Sequence, residues 1–356
     1  MSDRSTVVIT GVGVVSSAVT GDSAALGAFL AAPTVPADDG VSAGTLAGLV
    51  DGTEARRLSR VCQLTIAAAR LALRESGVDP AAGLGLVVGT EFGDLASTHA
   101  FADGFLARGP GGLSALLFPN TVMNTMVATT AIAIGAREMA VTLNAPTVAG
   151  ELAVARAAAA VAAGRLPAVL AGGVDELDPV VERELVRLGL GAERRGEGAA
   201  FVMLEPREAA RGRGAHVLGE VTAAVWRAVP ARPWGVGHTA RSHAIDAVLE
   251  AAHARTEDIG WVYASASRDD ARDRWEADVL GTALGADVPV SALGRALGRH
   301  AGLGVLRVAA AAWTARSRLL PIAEGGLRLE RVGAGRGLVH GLARGGAHVA
   351  LMVDAT

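Results

Sequence analysis

Two periods of apolar residues alternate along this chain. Thr6–Val14, Leu84–Val88, Ala140–Leu143, Ala168–Ala171 and Ala199–Leu204 are short aliphatic runs bounded by glycine or polar residues, which predicts buried strands. Between them lie longer stretches whose apolar side chains recur three and four residues apart, at Ala24–Leu30, Val61–Glu75, Thr121–Ile134, Gly150–Ala163 and Asp178–Leu188. These predict helices. Beyond Pro206–Gly214, which reads as a crossing segment, the style resumes. Strands are expected at Val217–Val225 and Trp261–Ser265, and helices at Arg241–His253, Arg272–Leu284 and Ala301–Ser317. Strands alternating with helices throughout indicate a layered α/β architecture.

The chain also echoes itself. Ala149-Gly150, then Arg156, an alanine run and Leu166-Pro167 return as Ala301-Gly302, Arg307, an alanine run and Leu320-Pro321, the Ala-Gly pairs lying 152 residues apart. Both copies fall at the same point of the strand–helix order, so duplication is preferred to chance in an alanine-rich chain. The expected division is into halves 1–208 and 209–356.

Composition narrows the function classes. The chain has 356 residues, 51% of them hydrophobic, enough for a large core. A net charge of −3 gives no general attraction to nucleic acid or to an anionic membrane. Lysine is absent, which excludes Schiff-base chemistry on this chain. One cysteine, Cys62, cannot close an intrachain disulfide and is expected as a buried thiol in a cytoplasmic setting. Met1–Arg4 runs straight into a strand, leaving no room for a leader, and no charge-free apolar run reaches membrane-spanning length. The eight histidines show no metal-ligand spacing, so no metal is expected. Gly11-Val12-Gly13 reads as a tight turn after a strand, because Ser16 and Ser17 break the dinucleotide spacing, and no cofactor is implied.

Four segments in order carry a resemblance. Phe118-Pro119-Asn120-Thr121-Val122-Met123-Asn124 opens an apolar helix that runs to Gly135. Thr142-Leu143-Asn144-Ala145-Pro146-Thr147-Val148-Ala149-Gly150 precedes an alanine-rich helix, Gly172-Gly173-Val174-Asp175-Glu176 closes a strand, and Gly196-Glu197-Gly198-Ala199-Ala200 opens another. Together with Val8–Val15 and Gly345-Gly346, they resemble the β-ketoacyl synthases of the thiolase superfamily. The resemblance implies a thiolase fold, two duplicated βαβαβαββ halves forming a layered αβαβα sandwich. Between Glu176 and Gly196 the chain is shorter than that family, without its Arg-Asp-Gly-Phe loop.

The same alignment empties the catalytic set. The family's nucleophilic cysteine falls on Thr147. Its first histidine, eight residues before an Asp and eleven before a Glu, falls on Ser265, before Asp273 and Glu276. Its second histidine falls on Arg299 in Gly298-Arg299, and its lysine on Gly294. A threonine hydroxyl needs a base beside it, and a guanidinium cannot accept a proton. His300, next along the chain, is expected on a helix face roughly 100° away. Loss of all three resembles the chain length factors, the β subunits of type II polyketide ketosynthases; Thr147 and the short chain suggest a divergent branch, such as those making reduced polyenes. The resemblance implies a non-catalytic subunit that pairs with a catalytic ketosynthase, meets acyl carrier protein through that complex and bounds the tunnel for the growing chain. Phe92 would stop the chain, with Leu117, Met123, Thr125, Met126 and Thr129 flanking the tunnel, and the Ala140–Leu143 strand would cross the dimer interface. Arg344 stands where the family has a phenylalanine gate; solvation and capping of the unused pocket are both open. The rival readings are a stand-alone acyl enzyme, a decarboxylase or hydrolase using Thr147 or Ser265, and a protein that only binds acyl carrier protein.

Overall fold

The computed structural model describes residues 6–324 and 326–356; Met1–Arg4 lies outside them. The first part of the chain forms β1 (Val7–Ser16), β2 (Thr20–Gly21), α1 (Ser23–Ala31), α2 (Ala43–Ala47), α3 (Gly52–Ala55), α4 (Arg60–Ser76) and β3 (Leu84–Thr90). Next come α5 (Leu95–Arg108), α6 (Thr125–Ile134), β4 (Ala140–Asn144), α7 (Ala149–Ala162), β5 (Ala168–Asp175), α8 (Pro179–Arg187), β6 (Gly198–Pro206) and α9 (Arg207–Gly212). The rest supplies β7 (Gly219–Ala228), α10 (His243–Ala251), β8 (Ile259–Tyr263), α11 (Asp270–Leu284), β9 (Val290–Ser291), α12 (Gly294–Leu297) and α13 (Ala301–Ser317). Strands β10 (Leu319–Ala323), β11 (Leu327–Arg331), β12 (Arg336–Leu342) and β13 (Ala347–Asp354) end the chain.

The main sheet runs β4-β3-β5-β6-β1-β7-β13-β12-β8-β9, with β2 beside β1. Its pairings are parallel for the outer two at each end and antiparallel for the five between. The order is therefore the same read from either end. Strands β1 and β7 join the two ends through Val7–Ile9 alone, opposite Val221–Gly219.

Helices α7 and α13 pack against each other and against strands on both sides of that joint. They form the middle layer, whose core includes Val154, Val161, Val305 and Val308. Helix α4 covers the outer face of the first sheet region, and α10 and α11 cover the outer face of the second. This is the layered α/β sandwich expected from the sequence.

Glycine makes the middle layer thin. A Cβ on Gly150 of α7 would lie 2.1 Å from the Ala301 carbonyl of α13, and one on Gly173 of β5 would lie 2.4 Å from the same atom. Gly304 leaves space for the Glu151 carboxylate, which pairs with Arg307 across the two helices, all of it buried. Burial pulls the Arg307 proton affinity down to about 9, which still leaves it charged at neutral pH.

Three expectations change. Gly11 and Gly13 lie inside β1 rather than at a turn, because a Cβ on either would strike the backbone carbonyl of Ala72 or Ala68 in α4. The expected helix from Thr121 begins only at Thr125: Pro119 opens a single 3₁₀ turn over Phe118–Thr121, and Val122 is extended. Helix α5, absent from the sequence reading, is capped by Asp94, which accepts from the Ser97 N–H.

Steric limits in the middle layer give a direct test. Gly150→Ala is expected to lower stability by about 1–3 kcal/mol through overpacking against α13. Gly52→Ala, where nothing lies within 4 Å of the added Cβ, should be neutral or stabilising by up to about 1 kcal/mol. Thermal unfolding of the two purified variants beside wild type checks the contrast.

Candidate functional site

Asp175 organises the site from the end of β5. Its Oδ1 accepts from the Thr90 hydroxyl and the Glu91 N–H, both at 2.8 Å, and its Oδ2 accepts from the Ala301 N–H at 2.7 Å. One buried carboxylate thus fixes the turn after β3 to the start of α13. The turn is pinned twice more: Gly93 N–H donates to Thr90 Oγ1 at 3.0 Å, and the Asn144 side chain donates to the Glu91 carbonyl at 2.7 Å. Arg299 lies just before α13, so this geometry delivers Glu91 to it.

Arg299 is buried between two carboxylates. Its Nη1 pairs with Glu91, while Nε and Nη2 donate to Glu193 at 2.6 and 2.8 Å. Burial opposes its charge, but Glu193 and Glu91 raise its proton affinity well above the ordinary arginine value. Burial likewise pushes the Glu193 carboxyl up, and Arg299 and Arg272 outweigh it, leaving the group at about 2. Glu193 comes from the shortened connection between α8 and β6. That segment is zipped to Arg299 by two backbone bonds, Arg299 N–H to the Arg194 carbonyl and Gly196 N–H to the Arg299 carbonyl. This connection therefore supplies one of the two carboxylates that balance the buried Arg299.

Ser265 is bound on every side. Its hydroxyl donates to Glu276 at 2.8 Å and accepts from Arg272 Nη1 at 2.9 Å and the Leu342 N–H at 3.0 Å. His340 Nδ1 lies 2.9 Å from the same Glu276 oxygen. The Glu276 carboxyl feels burial first, which raises it, but His340 and Arg272 bring it below the ordinary value. With its lone pairs taken by two donors, Ser265 Oγ is a structural junction and has no free trajectory towards an acyl carbon.

Thr147 is half-buried at the sharp bend between β4 and α7, with φ of 64°. A β-branched residue in the left-handed region is strained. A bend of this kind lifts a side chain out of the end of a sheet, the geometry of a nucleophile elbow, here carrying a weak nucleophile. Among the described residues, Glu276 Oε1 is held by Ser265 and His340, and Glu91 and Glu193 by Arg299, while Glu276 Oε2 and His340 Nε2 are buried without a hydrogen-bond partner.

His300 is not on a helix face. Gly298 (φ 79°) turns the chain, and His300 is extended at the position before α13, buried against Gly198. The 100° argument for it does not apply, and burial drops its proton affinity to about 4. Arg344 clamps Asp269 with two bonds of 2.5 and 2.6 Å and reaches the Trp234 carbonyl.

The six residues expected to line a tunnel are spread over two environments. Phe92 is half-buried in the pinned turn, Met123 is exposed beside Gly93, and Leu117 is half-buried just before the Phe118–Thr121 turn. Thr125 is buried at the start of α6, its hydroxyl on the Pro119 carbonyl. Met126 is fully buried in the core under α4, and the Thr129 hydroxyl bonds the Thr125 carbonyl at 2.8 Å. Thr129 and Ile132 face a surface cavity of about 520 Å³ that Leu58 and Ile66 also line.

Sequence reasoning missed Glu91, Glu193, Arg195 and Arg272. Arg272 enters that reasoning only as the first residue of the expected helix Arg272–Leu284. A buried charge needs a partner, so placing Arg299 in a pocket was itself a signal to look for acids.

Two outcomes follow. Thr147→Gly should raise the unfolding free energy by about 1 kcal/mol, because glycine adopts positive φ without the penalty of a branched side chain; denaturant titration reads it. Glu176, buried beside Asp94, Glu197 and Asp178, has its carboxyl raised to about 7, burial being the main cause. The folded state then binds a proton that the unfolded state releases, so stability should fall as pH rises from 4.5 to 7. Glu176→Gln should remove that decline, worth at most about 3 kcal/mol, in unfolding curves recorded at pH 5 and pH 8.

Comparison with known proteins places this geometry. Residues 42–210 match the model of the β-ketoacyl synthase N-terminal domain. A putative polyketide β-ketoacyl synthase 1 of Streptomyces virginiae is 27% identical over 305 residues, covering 75% of this chain and 72% of that protein. The tetracenomycin polyketide synthase ketoacyl synthase alpha subunit of Streptomyces glaucescens is 27% identical over 304 residues, 75% of this chain and 71% of the relative. Among solved structures, the ishigamide ketosynthase/chain length factor superposes with a TM-score of 0.85 at 21% identity, covering 99% of this chain and 100% of that one. No helix among the described residues is long and apolar enough to cross a membrane. Residues 42–210 thus match a β-ketoacyl synthase N-terminal domain, and the chain as a whole has the fold of the solved ishigamide ketosynthase/chain length factor.

Proposed function

We propose that this chain is a non-catalytic chain length factor, a ketosynthase-like subunit that pairs with a cysteine-bearing ketosynthase and bounds the tunnel in which a polyketide grows. The observation that carries this reading is the locking of Arg299 between Glu91 and Glu193, at the position where the resemblance puts a histidine. A strong buried ion network there cannot take a proton or polarise a thioester on demand. Thr147 and the fully engaged Ser265 supply no replacement nucleophile.

The surface supports a partner. Strand β4 ends the sheet with only β3 beside it, so one row of its backbone groups is unpaired among the described residues. The segment that leads to it exposes Leu106 (79%), Leu116 (89%), Phe118 (60%) and Ile132 (83%), with Phe105 and Val122 nearly half exposed. An open edge strand beside large exposed apolar side chains suits an obligate interface. The halves 1–208 and 209–356 are read as a duplication on the symmetric strand order and the central placing of α7 and α13. The partner would receive substrate from acyl carrier protein, and the pair would work in the cytoplasm. One chain of a solved complex of a type II polyketide synthase acyl carrier protein with its ketosynthase has this fold, with a TM-score of 0.82 at 16% identity.

Co-expression with a cysteine-bearing ketosynthase from the same genome, followed by size-exclusion chromatography, tests the pairing. A stable one-to-one complex is expected, and poor solubility or self-association without the partner. Within that complex Thr147→Ala should leave condensation within a few-fold of wild type, whereas replacing the partner's cysteine abolishes it. Phe92→Ala should shift carrier-bound products to longer chains by mass spectrometry. A well-behaved monomer that no ketosynthase binds overturns the reading, as does loss of turnover in an intact Thr147→Ala complex.

A further inference from the structure

Arg195 is a buried cation whose role the degenerate site does not explain. Its side chain is only 8% exposed, and burial together with the nearby Arg299 lowers its proton affinity. Its contacts with acids are long: Nη2 reaches Glu91 at 3.5 Å, and Nη1, 3.9 Å from Glu193, makes no hydrogen bond. Its close contact is aromatic. The guanidinium carbon lies 4.7 Å from the centre of the Phe92 ring, in stacking range.

The surroundings fix both partners of that stack. Asp175, Asn144 and the Thr90 hydroxyl hold the backbone of residues 90–93, which leaves the side-chain torsions of Phe92 as its remaining freedom. Arg195 is held from its own backbone, which pairs with Arg299 in an isolated bridge. Gly298 permits that bridge, since a Cβ there would lie 2.8 Å from the Arg195 carbonyl. Arg299 takes the short bonds to Glu91 and Glu193, which leaves Arg195 only contacts of 3.5 and 3.9 Å with those acids and its guanidinium plane over the ring. A half-buried phenylalanine on a surface built for a partner would otherwise swing, and a swinging ring sets no sharp length.

We propose that Arg195 is a positioning residue for chain length: it clamps the Phe92 ring in one orientation, and the Glu91–Arg299–Glu193 network serves that clamp at the former catalytic position. The inference rests on the preceding reading that Phe92 ends the partner's tunnel, and deepens it. It assigns the buried charges to specificity.

The test uses the complex of this chain with its ketosynthase, fed malonyl-loaded acyl carrier protein, with the distribution of carrier-bound chain lengths read by mass spectrometry. Arg195→Met keeps the length of the side chain and removes the planar cation. The ratio of longer to normal products should rise by roughly threefold or more, the scale a partly desolvated cation–π contact commands. Arg195→Lys, which keeps the charge without the flat stack, should shift the ratio in the same direction and guards against a folding defect in the first variant. In a Phe92→Ala background Arg195→Met should add nothing, because the clamp then has nothing to hold; a purely structural role would still add its effect. If Phe92→Ala alone leaves the products unchanged, the tunnel-stop reading fails, and this inference with it. If Phe92→Ala lengthens the products but both Arg195 variants leave the ratio as in wild type, or act additively with Phe92→Ala, the clamp alone is overturned.

Discussion

The backbone of Ala301 carries three constraints at once. Its N–H donates to Asp175, and its carbonyl lies where a methyl group on either Gly150 or Gly173 would collide. One peptide group therefore sets the distance between α7, α13 and β5. Asp175 uses its other oxygen on the turn after β3, so the same carboxylate transmits that spacing to Glu91 and Phe92. Close packing of this kind leaves little room for compensation, since interiors of crystal-like density transmit small displacements. The degenerate pocket, the central helix pair and the edge of the sheet are positioned from one point.

Most of the framework was legible in the sequence because burial writes it there. Strands β1, β3, β5 and β6 are aliphatic runs buried on both faces, and α13 was bounded correctly because Ala301–Ser317 is a helix former with a polar residue at each end. Where side chains are not the cause, the reading failed. Gly11 and Gly13 belong to a strand whose glycines answer to the carbonyls of Ala72 and Ala68 in α4, 61 and 55 residues away along the chain, contacts that no local pattern encodes. The start of α6 depends on a turn that Pro119 opens, and α5 has a weakly patterned, largely exposed surface.

The site was legible in its losses and illegible in its gains. Thr147, Ser265 and Arg299 stand out because the resemblance puts a cysteine and two histidines at their positions. What replaces it is electrostatic and comes from afar, Glu91 from the turn after β3 and Glu193 from the shortened connection, 208 and 106 residues from Arg299. Such a network is weak evidence for stability, because desolvating the ions offsets much of their attraction, and its better-attested use is to specify one arrangement. That is the property a fixed wall needs and a turning-over catalytic centre does not.

The unpaired edge of β4 has a consequence for the life of the protein in a cell. A newly made chain carries an open template for strand addition next to several bare hydrophobic side chains, so in isolation it is a substrate for chaperones and proteases. On the proposed pairing, its steady-state level would be set less by its own synthesis than by how much of the complementary surface is present to cover it, and clearance of the excess would bring the two subunits to matched amounts.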